Sequence, residues 1–593
     1  MAGTNDEVAR LLAELATLTE LDEGSPNAFR VRAYSNAERA VKGLGDDVGE
    51  LSATELAKVK GIGKSIAGRI REYVDTGTIG KLEELRERHP ASKLALLKVP
   101  GLGPKTVQLL DDELGIRSVE ALVAGLDDGS VAELEGMGAK TIENMREGIE
   151  VLGLTSKDRR VPIATAMPLA ERIVAHLEEV DAANQVAYAG SLRRFREDIG
   201  DIDVLVATEE PDPVREAFLA MDDIDRHLGS GETKTSVVTR DGVQVDLRIV
   251  PPASFGAALL YFTGSKAHNI RLRQRAIDRG WTLNEYALAV HRDDAHPGPG
   301  IHDDADAEVV AADTEAAIYA ALELAYLPPE LREDDGEIEL AAEDDLPALV
   351  RTEDLRGDLH DHTDRSGDGQ DPLEDLVAAA VERGLDYLAI TDHAEDLRIN
   401  GVSRADMLDQ RQELRELEQR RGDIRLLHGA ELNIAADGSL DYDDEFLAGF
   451  DWLVASVHSH FRQDVEAQTA RLLAAIRHRS VTAIGHLTGR MIGARPGIEL
   501  DLERVLDAAA EAGTAIEINA ALPRLDAAVE VIREGERRGC TFVISTDAHG
   551  VADLDRARFG AAQARRARLP RERVANTWPR DRFERWLAEL HDR

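Results

Sequence analysis

Two aspartates one residue apart, Asp201 and Asp203, lie in the stretch GSLRRFREDIGDIDVLV at 190–206. Alternate residues of a strand face one side, so both carboxylates project together while Ile202 and Val204 point into a core. A third acid, Asp246, sits in VQVDLRIV at 243–250, an apolar strand suited to pair beside the first. Three carboxylates from two strands are a donor set for two Mg2+ or Mn2+ ions roughly 3.5 to 4 Å apart, the arrangement that stabilises attacking and leaving oxygens in phosphoryl transfer. Gly190 and Ser191 offer backbone N–H groups and a hydroxyl to phosphate oxygens, and Arg193, Arg194 and Arg196 supply positive charge. A second constellation follows near the C-terminus: His360 and His362 in DLHDHT, Asp392 and His393 in ITDH, then Glu431, His458, His486, and Asp547 with His549 in STDAH. Mixed imidazole and carboxylate donors without thiolate suit Zn2+, Mn2+ or Fe2+ better than Mg2+.

The elements that must position these groups are legible in outline. From about 153 to 250 the pattern alternates helix and strand. Beyond 350 the apolar strands YLAITDH, RLLHGAELN, WLVASVHSH, TAIGHL, AIEINA and FVISTDAH alternate with helical stretches such as DPLEDLVAAAVERG. Such repeats predict a parallel barrel with its chemistry at the C-terminal ends of the strands, where the histidines fall. At 261–286, YFTGSKAHNIRLRQRAIDRGWTLNEY sets Tyr261, Phe262, Gly264, Asn269 and Arg273 around the head of a helix, suited to line a nucleotide pocket. Nine acids from Glu330 to Asp345 predict a solvated linker.

At 593 residues several domains are expected. There are 71 basic and 113 acidic residues, for a net charge of -42. Bulk charge of that sign argues against nucleic-acid binding through long-range attraction. Only 12 residues are Lys, none beyond Lys266, and acid excess with Lys depletion predicts a halophilic cytosol of molar salt. There the Debye length falls to about 3 Å, repulsion from DNA is screened, and short-range hydrogen bonds and metals must hold it. The single Cys540 excludes internal disulfides and thiolate zinc sites. No apolar run approaches about 18 residues and no signal-peptide pattern opens the chain, so a cytoplasmic protein without a membrane partner is expected. Nothing demands more than a monomer.

Three units in the N-terminal region, VKGIGKSIAGRI (59–70), VPGLGPKTVQLL (99–110) and LEGMGAKTIENM (134–145), resemble the helix-hairpin-helix motif. Their glycine pairs, Gly61 and Gly63, Gly101 and Gly103, Gly136 and Gly138, allow close approach to a phosphate, and the following helix aims its amides at the anion. With GSLRRFREDIGDIDVLV, VDLRIV and YFTGSKAHN following in that order, residues 5 to 328 resemble the family X DNA polymerases, the beta type among them. The resemblance implies a helical N-terminal domain at 1–85, fingers at 86–152, a nucleotidyltransferase palm at 153–250 and a thumb at 251–328. It implies gapped or primed DNA and dNTPs as substrates, with Asp201, Asp203 and Asp246 as the catalytic metal ligands. Gly190, Ser191 and Arg194 would hold the triphosphate, Tyr261 would exclude a ribose 2'-hydroxyl, Asn269 would contact the base's minor-groove edge, and Arg273 the template. Arg69 stands where beta-type enzymes carry a Schiff-base lysine; a guanidinium cannot serve, leaving Lys60 or Lys64 as substitutes.

After the linker at 329–350, residues 351–593 resemble the PHP domain, a seven-stranded β/α barrel with up to three metal ions. Carried over by order of motif, its ligands are His360, His362, Asp368, His393, Glu431, His458, His486, Asp547 and His549, with Asp364 the alternative to Asp368. Polymerase-linked PHP domains, to which NAALPRLD at 519–526 is similar, imply 3'-5' exonuclease activity and, in some, abasic-site cleavage. The expected whole is a multidomain α/β protein that fills short gaps in DNA repair and trims 3' ends. Two competitors are a nucleotidyltransferase for another acceptor joined to a small-molecule phosphatase, and a DNA-binding scaffold with an inactive palm and a PHP nuclease.

Overall fold

The computed structural model describes residues 160–290 and 308–592, apart from 232 and 398–399, together with 4–23, 29–42, 51–76, 102–116 and shorter pieces up to 145. The chain divides into two compact units, Met1–Arg159 and Arg160–Arg593. Among the described residues no helix is long and apolar enough to cross a membrane.

The first unit is helical. Helix Thr4–Glu23 packs along Phe29–Lys42, and Val8, Leu12 and Leu15 meet Tyr34 and Val41 in one core. Helix Lys64–Thr76 adds Ile66 and Ile70, and Pro104–Leu114 adds Val107 and Leu110. Each apolar side chain so buried stabilises the unit by about 1.5–3 kcal/mol before entropy is counted.

The second unit begins with a five-stranded sheet in the order Gln185–Tyr188, Ile202–Ala207, Gln244–Val250, Lys234–Thr239, Ile224–Ser230. Only the pair Ile202–Ala207 and Gln244–Val250 is parallel. Pleating divides the two strands' side chains between two faces. Ile202, Val204, Val206, Val245, Leu247 and Ile249 pack against helices Ile163–Glu178 and Pro211–Leu219. On the opposite face Leu205, Ala207 and Val250 meet Phe255 and Ala258 of helix Phe255–Thr263, leaving Asp201, Asp203, Asp246 and Arg248 at the open end of that face.

The acidic stretch is not a solvated hinge. It contains a turn at Pro329–Leu331 and helix Glu337–Glu343, and Glu337 and Arg332 are fully buried. Glu337 accepts a 2.6 Å hydrogen bond from His268 Nδ1–H, and the other ring nitrogen meets Tyr319. Arg332 pairs with the buried Glu315, which Arg193 also grips through two nitrogens. Burial raises the Glu315 carboxyl's pKa, but the two guanidiniums overcome this and hold it at about 2. Composition predicted exposure; long-range partners for its charges override that.

Seven parallel strands in sequence order then form the barrel: Gly357–Asp361, Tyr387–Ile390, Arg425–Asn433, Trp452–Ser456, Ala483–Ile484, Ala515–Asn519 and Phe542–Ser545. The last approaches the first through Ala548, whose carbonyl accepts from His362 N–H. The other end of the barrel is filled by helix Arg580–His591. Phe583 stacks on Tyr387 with ring centroids 4.3 Å apart, and Trp452, Leu427 and Val543 belong to the same cluster. Phe583→Ala leaves a cavity under seven strands and is expected to cost about 3–5 kcal/mol, read as a lowered Tm in calorimetry.

Barrel and sheet are packed together. Leu522, Leu525, Phe559 and Ala562 of the barrel join Leu192, Phe195 and Ile199 of the sheet domain in one core. Around it, Arg490 holds Glu197 through two nitrogens at 2.9 and 3.0 Å, Arg558 pairs with Glu171, and Arg565 with Glu330.

Candidate active sites

Asp203 and Asp246 are directly opposite in the parallel register, and Asp201 stands immediately before the strand that carries Asp203. Burial, then Asp201 and Asp246, push the Asp203 carboxyl up to about 6, against the pull of Arg248. Asp246 is raised by burial, but hydrogen bonds from Lys234, Ser236 and Gln244 hold it below its ordinary value. Lys234 Nζ lies 2.6 Å from Asp246, and Arg248 Nε 3.3 Å from Asp203 with its guanidinium 4.2 Å over the Phe262 ring. Crowded carboxylates that draw in two cations are a donor set suited to divalent metal. Gly190 has φ +64°, and a Cβ there would stand 2.8 Å from Asp203 Oδ2; the turn reaches the carboxylates because it lacks a side chain.

Arg194, three residues after Ser191 at the end of the same turn, donates at 2.5 Å to the Thr263 carbonyl and pairs with Glu333 at 3.0 Å. It thereby lies against Gly264, whose Cβ would be 3.2 Å from Nη1. Tyr261 and Phe262 meet edge to face, and Asn269 Nδ2 donates to the Tyr261 carbonyl at 2.7 Å. Tyr261, Asn269 and Arg273 line one cleft with Leu283 and Asn284. Ser265 caps the helix that carries Asn269 and Arg273 by accepting from His268 N–H.

In the first unit, Gly63, Gly103 and Gly138 repeat one geometry. Each carbonyl accepts from an amide three or four residues on, opening a helical turn, and a Cβ on any of them would meet nothing within 4 Å. Gly61 adopts φ +104°, while Gly101 and Gly136 lie outside the described residues. Arg69 is turned onto the Tyr34 ring and donates to Ser65 Oγ; Lys60 and Lys64 are exposed.

At the C-terminal mouth of the barrel six histidines converge on buried acids. Glu431 lies between His458 Nε2 and His486 Nε2, both at 3.0 Å, His393 Nδ1 at 2.8 Å and His360 Nε2 at 3.4 Å. Asp547 Oδ1 faces His362 at 3.4 Å and His360 at 3.7 Å. Asp368 faces His393 at 3.2 Å and His549 at 3.4 Å, steadied by Asn400 at 2.6 Å; Asp364 is exposed and apart from them. Three groups have donor atoms close enough to share an ion: His362, Asp368, His393 and His549; His360, His362 and Asp547; His393, Glu431 and His458. His486 stands outside these groups but against Glu431.

Burial raises the Glu431 carboxyl, yet His458, His360 and His393 hold it well below the carboxylate range. Burial lowers His393, but Glu431 and Asp368 push it up to about 10, while burial drives the His362 ring down to about 4. His360 Nε2 and both ring nitrogens of His362 are buried without a hydrogen-bond partner, an orphaning that bound cations relieve. Asp392 is no part of this set: Thr363 and Gln410 occupy its oxygens.

Glu517, absent from the ligands named from sequence, accepts from His360 Nδ1 at 2.7 Å and from His486 N–H at 2.6 Å. Its signal was a lone acid inside the buried strand AIEIN. Glu517→Gln is expected to weaken metal binding at the barrel by about 10- to 100-fold, measured by competition with a chelating dye, because His360 loses the charge that orients its ring.

The sequence matches the family models described as helix-hairpin-helix domain over 3–79, SAM-like helix-hairpin-helix tandem over 93–150, DNA polymerase beta thumb over 258–333 and PHP domain over 358–521. Over 574 residues it is 35% identical to the DNA polymerase/3'-5' exonuclease PolX of Bacillus subtilis (strain 168), covering 96% of this chain and 97% of that one. It is 26% identical over 325 residues to DNA polymerase lambda of Rattus norvegicus, 51% of this chain and 52% of that one. Over 210 residues it is 30% identical to a probable phosphatase of Vibrio atlanticus (strain LGP32), 34% of this chain and 80% of that protein. Matched along nearly its whole length, with a carboxylate-bearing strand pair in one part and a histidine-rich barrel mouth in another, the chain belongs to the family X DNA polymerases that carry a PHP domain.

Proposed function

We propose that this protein is a DNA-directed DNA polymerase that fills short gaps during repair, and that its PHP domain removes nucleotides from 3' ends. The observation that carries the reading is the pairing of Asp203 with Asp246 across parallel strands, Gly190 against them, in a chain whose barrel gathers six histidines. Asp201, Asp203 and Asp246 would hold Mg2+ or Mn2+, which supply charge stabilisation at the attacking and leaving oxygens. The Gly190–Ser191 turn presents amides and a hydroxyl to the triphosphate, and Arg194 steadies it from the Gly264 side. Tyr261 and Asn269, tied to each other, set the width of the sugar and base pocket, and Arg273 faces the template.

In the barrel, His360, His362, Asp368, His393, Glu431, His458, His486, Asp547 and His549 would hold up to three Zn2+, Mn2+ or Fe2+ ions, which supply an activated water and neutralise phosphate charge. Glu517 and Asn400 keep these donors in register. Abasic-site cleavage would be the same phosphodiester hydrolysis at an internal position of the strand. Arg69 at the lysine position cannot form a Schiff base, because its guanidinium stays protonated, and no strong lyase is proposed. The helices opening at Gly63, Gly103 and Gly138 grip the DNA backbone through amides and need little long-range attraction, in keeping with an acidic, Lys-poor, halophilic protein that works as a monomer in the cytoplasm.

The test is a gel assay in molar KCl with Mn2+ on a labelled primer at a short gap, with and without dNTPs. Extension with dNTPs and shortening without them is the expected result. Shortening with no extension under any dNTP supply would leave a DNA-guided PHP nuclease with an inactive palm.

A further inference from the structure

The loop Ala521–Asp526 lies between the two catalytic regions. On one side Leu522 and Leu525 enter the palm core. On the other, Arg524 reaches the barrel mouth, where its Nε stands 3.7 Å from Asp547 Oδ2. That is beyond hydrogen-bonding distance, and no closer side-chain partner of this guanidinium occurs among the described residues. Its neighbour Arg495 is engaged, donating to the Gly489 carbonyl and lying 3.9 Å over the Phe461 ring. Arg524 therefore brings unused N–H donors to the edge of the histidine cluster, in a side chain 23% exposed.

The loop is also held from several sides. Leu525 has φ +40°, a conformation that a side chain disfavours and the surroundings must enforce. Asp526 accepts from Thr488 N–H and Oγ1, and the Asp526 carbonyl from Asn519 N–H. Arg490 donates to the carbonyls of both Arg524 and Leu525. The same Arg490 guanidinium is fixed by Glu197, a palm residue four positions before Asp201.

We propose that Arg524 anchors the phosphate of the DNA end in the PHP site, and that the palm keeps it aimed through the Glu197–Arg490 ion pair. An arginine fork matches two non-bridging phosphate oxygens, and a guanidinium with a single long ion pair gives up little to take them. Asp547 keeps its orientation when Arg524 turns to substrate, because Asn519 Nδ2 holds Oδ2 at 3.1 Å. The assignment rests on the nuclease reading of the barrel.

The experiment uses the full chain with Arg524→Ala, Arg524→Lys and Glu197→Gln. Three quantities are measured: kcat and KM for shortening a labelled oligonucleotide, metal content, and calorimetric titration of inorganic phosphate onto the metal-loaded protein. Arg524→Ala should lose on the order of 10- to 100-fold in kcat/KM and in phosphate affinity, with metal content and primer extension unchanged. Arg524→Lys should recover part of both, and Glu197→Gln should raise KM for shortening roughly tenfold while extension stays intact.

Wild-type phosphate binding in Arg524→Ala overturns the anchor. Loss of metal in that variant also overturns it, since Arg524 would then serve Asp547 instead. Unchanged shortening in Glu197→Gln removes the palm from the assignment. If the wild type never shortens DNA yet its phosphate binding depends on Arg524, the nuclease reading fails and the anchor stands.

Discussion

Asp203→Ala will abolish primer extension, by on the order of 10³-fold or more, and leave 3' shortening at the wild-type rate. Of the three palm carboxylates, Asp203 is the one set against both other acids, Arg248 and the Gly190 turn. It pairs in register with Asp246, lies near Asp201, takes the Arg248 ion pair and stands under the Gly190 turn. Its removal would take away one of the proposed metal donors and release Arg248 to neutralise Asp246 instead, 3.9 Å away in the intact site. The measurement is single-turnover extension on a gapped substrate beside shortening of the same labelled strand. Retained extension would show that the palm does not catalyse it, and equal loss of both activities that the variant has misfolded. Tm and the integrity of the barrel check the latter, because the barrel's core lies elsewhere.

Glu431→Gln will have the converse effect. One carboxylate faces His360, His362, His393, His458 and His486, so it is the negative charge around which five imidazoles are arranged. A neutral amide of the same size cannot balance cations there, and its NH2 group turns N–H bonds toward ring nitrogens that had faced a carboxylate. Metal content should fall and shortening should drop by on the order of 10³-fold, with extension retained. Elemental analysis of the purified variant and the paired gel assay read both. Full shortening by a Glu431→Gln protein would remove the histidine cluster from the reaction.

What the sequence made legible was set by how local the cause is. Asp201 and Asp203 could be placed on one face because pleating has period two, and Ile202 and Val204 mark the other face as core. The barrel histidines could be grouped because strand ends of a parallel barrel share one mouth. Residues whose meaning depends on distant partners stayed hidden. Glu517 is ordinary until His360, 157 positions away, is seen donating to it. Glu337 and Arg332 read as solvated charge until His268 and Glu315 bury them. The choice between Asp364 and Asp368 needed the loop's path, which brings only Asp368 to His393 and His549. Arg524 was one arginine among many until its loop was seen to lie between palm and barrel.

The folded acidic segment changes what a DNA end must do to reach both reactions. With Glu330, Glu337 and Arg332 tied into thumb and barrel, and Phe195 stacked on Phe559, extension and trimming belong to a single chassis that does not swing on a tether. The traffic is then in the substrate: a mispaired terminus must unpair, slide or let go and be recaptured. Correction becomes a race between the next nucleotide and departure of the strand, decided by base-pair strength and by salt, and lengthening residues 329–350 with inserted glycine would not speed it.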